Sequence, residues 1–169
     1  MDALAEGDPG AVHPAPEREP TMPSLADILL QPGKRPAIVS ECETLLDEEV
    51  SSKGGLTGLA VKAAFKMVKA VKPGIVRESV DGLLDDFVRR MEPFYTQWSA
   101  SGGSVGLAAY FIGRSGEIAD ALLGVTDERA ARAKNATLRK AYESLRPQGR
   151  KHVQEAIPRV ARMVERNQA

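Results

Sequence analysis

Prolines and glycines cut this chain into pieces of helical length. After Pro23 the breaks fall at "QPGKRP", "SSKGG", "KPG", "SGGS" and "RPQG". Pro has no amide hydrogen and Gly costs backbone entropy, so neither continues a helix well. Between the breaks, apolar residues recur every three or four positions, the period of a helix with one buried face. No segment alternates apolar and polar residues over the length of a strand. The pattern predicts an all-α protein, a compact single-domain bundle of six to eight helices with short Pro/Gly turns.

Local signals place the individual helices. Ser24 and Asp27 have capping-box spacing and open a short helix, "SLADILL". Pro36 suits the first turn of a second helix to about Val50, with Ile38, Cys42, Leu45 and Leu46 on one face. A third helix runs from about Leu56 to Lys72. A fourth runs from Ile75 to Met91 on a stripe of Val76, Val80, Leu83, Leu84, Phe87 and Val88. Pro93 is expected to end or kink it, with another turn or two in "PFYTQWSA". A fifth covers about Val105 to Leu123, and Thr126 is expected to cap a sixth. In the last helix Val153, Ile157, Val160 and Val164 are spaced four, three and four, a clean amphipathic signature. Residues 1–22, acidic and rich in Pro, are expected to form a flexible tail, leaving 23–169 as the helical domain.

Charge limits the function classes. The 169 residues carry 23 basic and 23 acidic side chains, which argues against a dedicated nucleic-acid binder by bulk charge. The charges are segregated, however. Residues 1–52 hold 11 acidic and 3 basic residues, while residues 125–169 hold 11 basic and 5 acidic. An acidic front could contact the basic back, or each could serve its own partner. The single cysteine, Cys42, rules out an internal disulfide and favours a cytoplasmic setting. No membrane span is expected, because the longest uncharged run, Pro93 to Gly113, is interrupted by Pro, Gly, Ser, Thr and Gln.

The third helix carries the most suggestive surface. Lys62, Lys66, Lys69 and Lys72 fall on one side, with Phe65 seated beside them. Ala60, Ala64, Met67, Val68 and Val71 lie opposite, so the helix is expected to be central with the lysines as its only wet strip. That strip could dock a phosphate, a nucleic acid or an anionic membrane face, or it could meet Glu78, Asp81 and Asp85 of the fourth helix. Arg159, Arg162 and Arg166 form a second basic face on the last helix, and Arg129, Arg132, Arg139 and Lys140 a third. With only Tyr142 interleaved, these are weak nucleic-acid signals.

Catalytic constellations are missing. His13 and His152 are the only histidines, and no His/Cys or Glu-x-x-His spacing suits a metal. Cys42 sits among apolar residues, where a thiol is core rather than nucleophile. Asp85 with Arg89, Asp86 with Arg90 and Arg77 with Asp81 have i,i+4 spacing, the pattern of a solvated helix face. "GGLTGLAVK" places glycines before a helix but lacks the Gly-Lys-Ser/Thr of a P-loop. No catalytic residue, cofactor site or metal site is expected.

Over "LADILLQPGKRPAIV", "GLAVKAAFKMVKAVKPGIV" and "LRPQGRKHVQEAIPRV" the chain resembles a family of small uncharacterised bacterial all-helical proteins with no assigned activity. The resemblance covers residues 24 to about 164 and implies one bacterial, cytoplasmic, all-α domain. The leading expectation is a non-enzymatic module that binds a protein partner or itself, through Lys62, Phe65, Lys66 and Lys69 or through Arg159, Arg162 and Arg166. Binding of nucleic acid or an anionic surface by the basic C-terminal helices is one alternative. Binding of an apolar small ligand in the bundle core is the other.

Overall fold

The computed structural model describes residues 21–168, so all of the expected tail except Thr21 and Met22 lies outside the described residues. Among the described residues there are eight α-helices and one 3-10 turn, with no strand. They are α1 (Leu25–Leu29), α2 (Arg35–Ser52), α3 (Gly55–Lys69), α4 (Ile75–Ala100), α5 (Leu107–Gly113), α6 (Ser115–Arg132), α7 (Ala136–Leu145), the 3-10 turn (Arg146–Gln148) and α8 (Gly149–Asn167). This is the all-α bundle the sequence predicts.

Two long helices organise the rest. α4 packs against α1, α2, α3, α5 and α6, and α8 packs against α1, α2, α5 and α6. α4 runs unbroken through Pro93, and α8 through Pro158. The bulkiest buried side chains gather toward the C-terminal halves of both: Tyr95, Leu107, Phe111, Ile118, Ile157 and Val164, with Leu25 and Leu29 of α1. On α8, Ile157, Ala161 and Val164 are fully buried at a spacing of four and three, with Met163 buried beside them, while Val153 and Val160 of the sequence stripe are half-buried.

α1 and α5 are too short to be stable alone, since helices below about 12 residues are marginal in water. Each is held by a glutamate reaching from a long helix. The Glu92 carboxylate of α4 accepts from the Leu25 and Ala26 amides at 2.9 and 3.0 Å, beside the Ser24–Asp27 capping box. The Glu165 carboxylate of α8 accepts from the Ala108 amide at 3.0 Å. These contacts satisfy amides that a helix start leaves without intrahelical partners. They also tie α1 and α5 to the core helices.

Three sequence expectations are corrected. The fifth helix is two: α5 stops at Gly113, and Arg114 (φ −110°, ψ 14°) turns the chain into α6. Thr126 is not a cap but lies inside α6. Its hydroxyl donates to the Leu123 carbonyl and sits 2.8 Å from the Tyr142 hydroxyl, so it is already engaged. Asn135 is the cap of the next helix, its side chain accepting from the Leu138 amide. The i,i+4 pairs expected along α4 give way to contacts between helices. Arg35 bridges Asp81 and Asp85, Arg77 meets Glu43, and Arg90 meets Glu128. An acid on a helix facing another element finds a better-placed cation there than on its own exposed face. The Arg35 guanidinium holds the Asp85 carboxyl below the usual carboxylate range.

Removing the reach of Glu92 tests the capping arrangement. Glu92→Ala leaves two amides at the start of α1 without an acceptor, at a cost of about 1–3 kcal/mol. Urea denaturation should show the midpoint falling with an unchanged slope. An unchanged midpoint would mean that solvent satisfies the amides as well.

Candidate functional site

The third helix occupies a different place from the one its pattern predicts. α3 is peripheral, packed chiefly on α7, and buries only Gly58, Val61 and Ala64, with Phe65, Val68 and Val71 half-buried. Leu56, Leu59 and Met67 are exposed, at 87%, 65% and 48%. The buried face thus includes Phe65 and lies to one side of the arc chosen from the wheel. Apolar residues surround most of this helix, so polarity alone could not fix its rotation; Val61, Phe65 and Val68 supply the inward bulk while Gly58 permits close approach.

Most lysines of the strip are not covered by α4. Lys72 pairs with Glu78 at 2.7 Å, but Asp81 and Asp85 are taken by Arg35. Lys69 reaches Asp47 at 3.2 Å and lies 4.4 Å above the Phe65 ring. Among the described residues Lys62 and Lys66 have no acidic partner. On α8, Arg159 meets Glu49 and Glu48, and Arg166 meets Glu41, all on α2. The acidic front and basic back of the chain are therefore partly joined through α2 and α8. Arg162 lies exposed beside them. The two groups of candidate residues stay apart, one on the outside of α3 and one along α2.

A different set of residues forms a buried charged cluster. Lys53 follows the last turn of α2, and its side chain is only 8% exposed. Its amine meets Glu49 at 3.1 Å and Glu155 of α8 at 2.6 Å. Glu49, equally buried, also accepts from Arg159 at 2.5 Å. Gly58 is required here: a Cβ on it would lie 2.6 Å from the Lys53 carbonyl carbon. With glycine at that position, α3 can start hard against the end of α2. The cluster borders an open cleft of about 450 Å³ at the start of α3, which Lys151 and Arg162 also line.

Behind the ions, between α4 and α8, lies a cavity of about 320 Å³. α4 contributes Val80, Leu84, Phe87 and Met91, α8 contributes Val153, Ala156 and Val160, and α2 closes the side with Leu45 and Leu46. Glu49, Lys53 and His152 form its one polar end. Both ring nitrogens of His152 are shielded from solvent, and neither has a hydrogen-bond partner among the described residues. Glu155 is 3.9 Å from Nδ1, beyond hydrogen-bond reach. Burial, and then the Lys53 charge, push the imidazole pKa down, so it is neutral. A neutral imidazole offers one donor and one acceptor.

Cys42 lines the same cavity, with Sγ 3.7 Å from the Met163 sulfur. Burial, reinforced by Glu41, pushes its thiol up to about 11, so it is not an activated nucleophile. Among the described residues no cluster of three or more His, Cys, Asp or Glu could hold a metal ion, and no helix is long and apolar enough to cross a membrane.

Hydrophobic periodicity could not point to Lys53, which sits in the "SSKGG" break. The one available signal was its i,i+4 spacing from Glu49. His152 entered the sequence reading only as a possible metal ligand, and nothing in its neighbours marked it as the polar end of a cavity.

The fold and site define a small helical bundle with an apolar interior and a single polar end. The chain belongs to a family of unknown function (DUF6918), whose model matches residues 25–168. No curated protein and no solved structure matches it.

Two measurements follow from the site. The folded His152 has a pKa below its unfolded value of about 6.5. Below pH 6.5 the unfolded chain therefore binds the extra proton, and stability falls. Glu155, held below its ordinary range chiefly by Lys53, adds a further loss below about pH 4.5. Urea midpoints should drop from pH 7.5 to 5.5, and His152→Leu should flatten that drop; equal slopes would remove His152 as its source. Raising the Cys42 thiol from about 9 to about 11 cuts its thiolate fraction roughly a hundredfold. Native protein should therefore react with a disulfide reagent at least ~100-fold more slowly than urea-unfolded protein, and comparable rates would refute the burial.

Proposed function

We propose that the protein binds an apolar small molecule carrying one hydrogen-bonding head group, held between α4 and α8. The observation that carries this reading is a neutral imidazole, without a partner among the described residues, at the polar end of a largely apolar cavity of about 320 Å³. Ligand sites are commonly apolar spaces of about 300 Å³ or more with a few converging polar groups. A buried polar group without a partner costs about 1–3 kcal/mol, which a bound head group would recover.

The ions beside His152 narrow the head group. Lys53 is held by Glu49 and Glu155, and Arg159 by Glu49, so these two cations already have counter-ions. The unused capacity is the imidazole, which suits a hydroxyl or carbonyl head better than a strong anion. The same pairing favours a binding protein over an enzyme, because the carboxylates nearest the cavity are committed to ion pairs. It also makes Arg159 and Arg166 poor candidates for a free nucleic-acid surface, since both lie against α2 acids. The setting that accompanies this reading is a bacterial cytoplasm, in keeping with a single half-buried cysteine whose thiol is pushed up.

A long-chain alcohol such as decanol is a suitable probe. It should displace a polarity-sensitive dye such as 1-aminoanthracene and stabilise the fold, by about 2.7 kcal/mol at a hundredfold excess over Kd. Ala156→Leu, which puts extra bulk into the cavity, should weaken binding at least tenfold while the melting temperature stays the same or rises. Decanol that neither displaces dye nor stabilises the protein, or that binds the variant equally well, would overturn the proposal.

A further inference from the structure

The outer face of α3 carries three of the exposed large apolar side chains of the described residues. Leu56, Leu59 and Met67 project from it, with Ala60 and Ala63 exposed between them and Ala70 exposed just past its end. Lys62 and Lys66, without acidic partners among the described residues, run along one edge. No Asp or Glu occurs between Val50 and Arg77, so the whole segment presents only positive charge. On its inner side the same helix contributes Val61 to the wall of the cavity.

We infer that this face of α3 docks on an anionic lipid surface. An interfacial helix needs a large apolar face and lysines at its edge that reach lipid headgroups. α3 has both, already exposed on the folded domain. A second copy fits poorly. Lys62 is the midpoint of Gly55–Lys69, so a two-fold pairing of the faces would bring lysines against lysines with no acid to offset them. The acidic segment before Thr21 matches the charge, but its only large aliphatic or sulfur-containing side chains are Met1, Leu4 and Val12, little to cover three exposed apolar residues. A bilayer supplies both negative headgroups and apolar depth. The inference goes beyond the ligand-binding reading and rests on it in one respect: a membrane is where an apolar ligand would be collected or released, and Val61 places α3 between bilayer and cavity.

Vesicle flotation tests this with the full chain and no added ligand. Vesicles of phosphatidylcholine are compared with vesicles in which phosphatidylglycerol is half of the lipid. The protein should float with the anionic vesicles, at least tenfold less with the neutral ones, and less again as salt is raised. Each lysine near an anionic surface is worth about fivefold in partitioning, so Lys62→Glu with Lys66→Glu should lower binding at least ~25-fold. Leu56→Glu with Leu59→Glu should abolish it while circular dichroism stays unchanged, since both side chains are exposed in the folded domain. Failure to float, or flotation unaffected by the leucine changes, would overturn the inference. So would a dimer in sedimentation that the leucine changes dissolve, because the face would then be occupied by a second copy. Decanol binding is a separate readout, so either proposal can fail while the other stands.

Discussion

The arrangement of the bundle around its cavity depends on the burial of Lys53. Its amine sits between Glu49 on its own helix and Glu155 on α8, and Glu49 is shared with Arg159. These contacts join the end of α2 to the first half of α8. Gly58 then lets α3 begin directly against Lys53, which sets where α3 leaves the bundle. Removing one partner of a buried ion pair costs about 3–5 kcal/mol, because the other is left uncompensated in a poor solvent. The α2–α3 corner is therefore fixed by charges rather than by apolar packing, and the space behind it does not have to close.

The distribution of bulk explains why that space exists. Aromatic residues make up 5% of the chain. Tyr95, Trp98, Phe94 and Phe111 gather with α1 and α5 at one end of the two long helices. That end is also tied by Glu92 and Glu165, which hold α1 and α5 in place. The other end is left mainly to Val, Leu, Ala and Met, with Phe87 the one Phe, Tyr or Trp among the described residues of the cavity wall. Branched aliphatic side chains on α2, α4 and α8 reach toward one another without filling the middle, whereas interiors ordinarily leave few voids larger than a water molecule.

What the sequence revealed follows from this division. Periodicity found α4 and α8 because each has one well-defined face against a large partner, whereas α2, whose apolar residues are poorly segregated, was marked mainly by Pro36 and the "SSKGG" break. It misjudged α3, where apolar residues lie all round and only tertiary packing chooses which go inward. It ran α5 and α6 together because Gly113 and Arg114 interrupt the hydrogen bonding without interrupting the apolar spacing. It took Thr126 for a cap because a hydroxyl's partner across the fold, here Tyr142, cannot be read from its neighbours. The site was the least legible part. Its members, Glu49, Lys53 and His152, are ordinary surface residues by type, and their burial is decided by helices far apart in the chain.

Stability alone does not account for the buried ions. Replacing a buried ion pair with apolar groups of similar volume is often neutral or stabilising by about 1–4 kcal/mol. A chain under pressure only to fold could have closed this corner with leucines and continued the apolar core through it. It keeps Lys53 and Arg159 both paired with Glu49 and leaves His152 beside them neutral, shielded and without a partner among the described residues. The ions satisfy one another, so the imidazole is the group with hydrogen-bonding capacity to spare, and the wall beyond it is apolar. That is the arrangement expected if the charges hold the polar end of a cavity open and in register for a ligand, with stability conceded to keep it so.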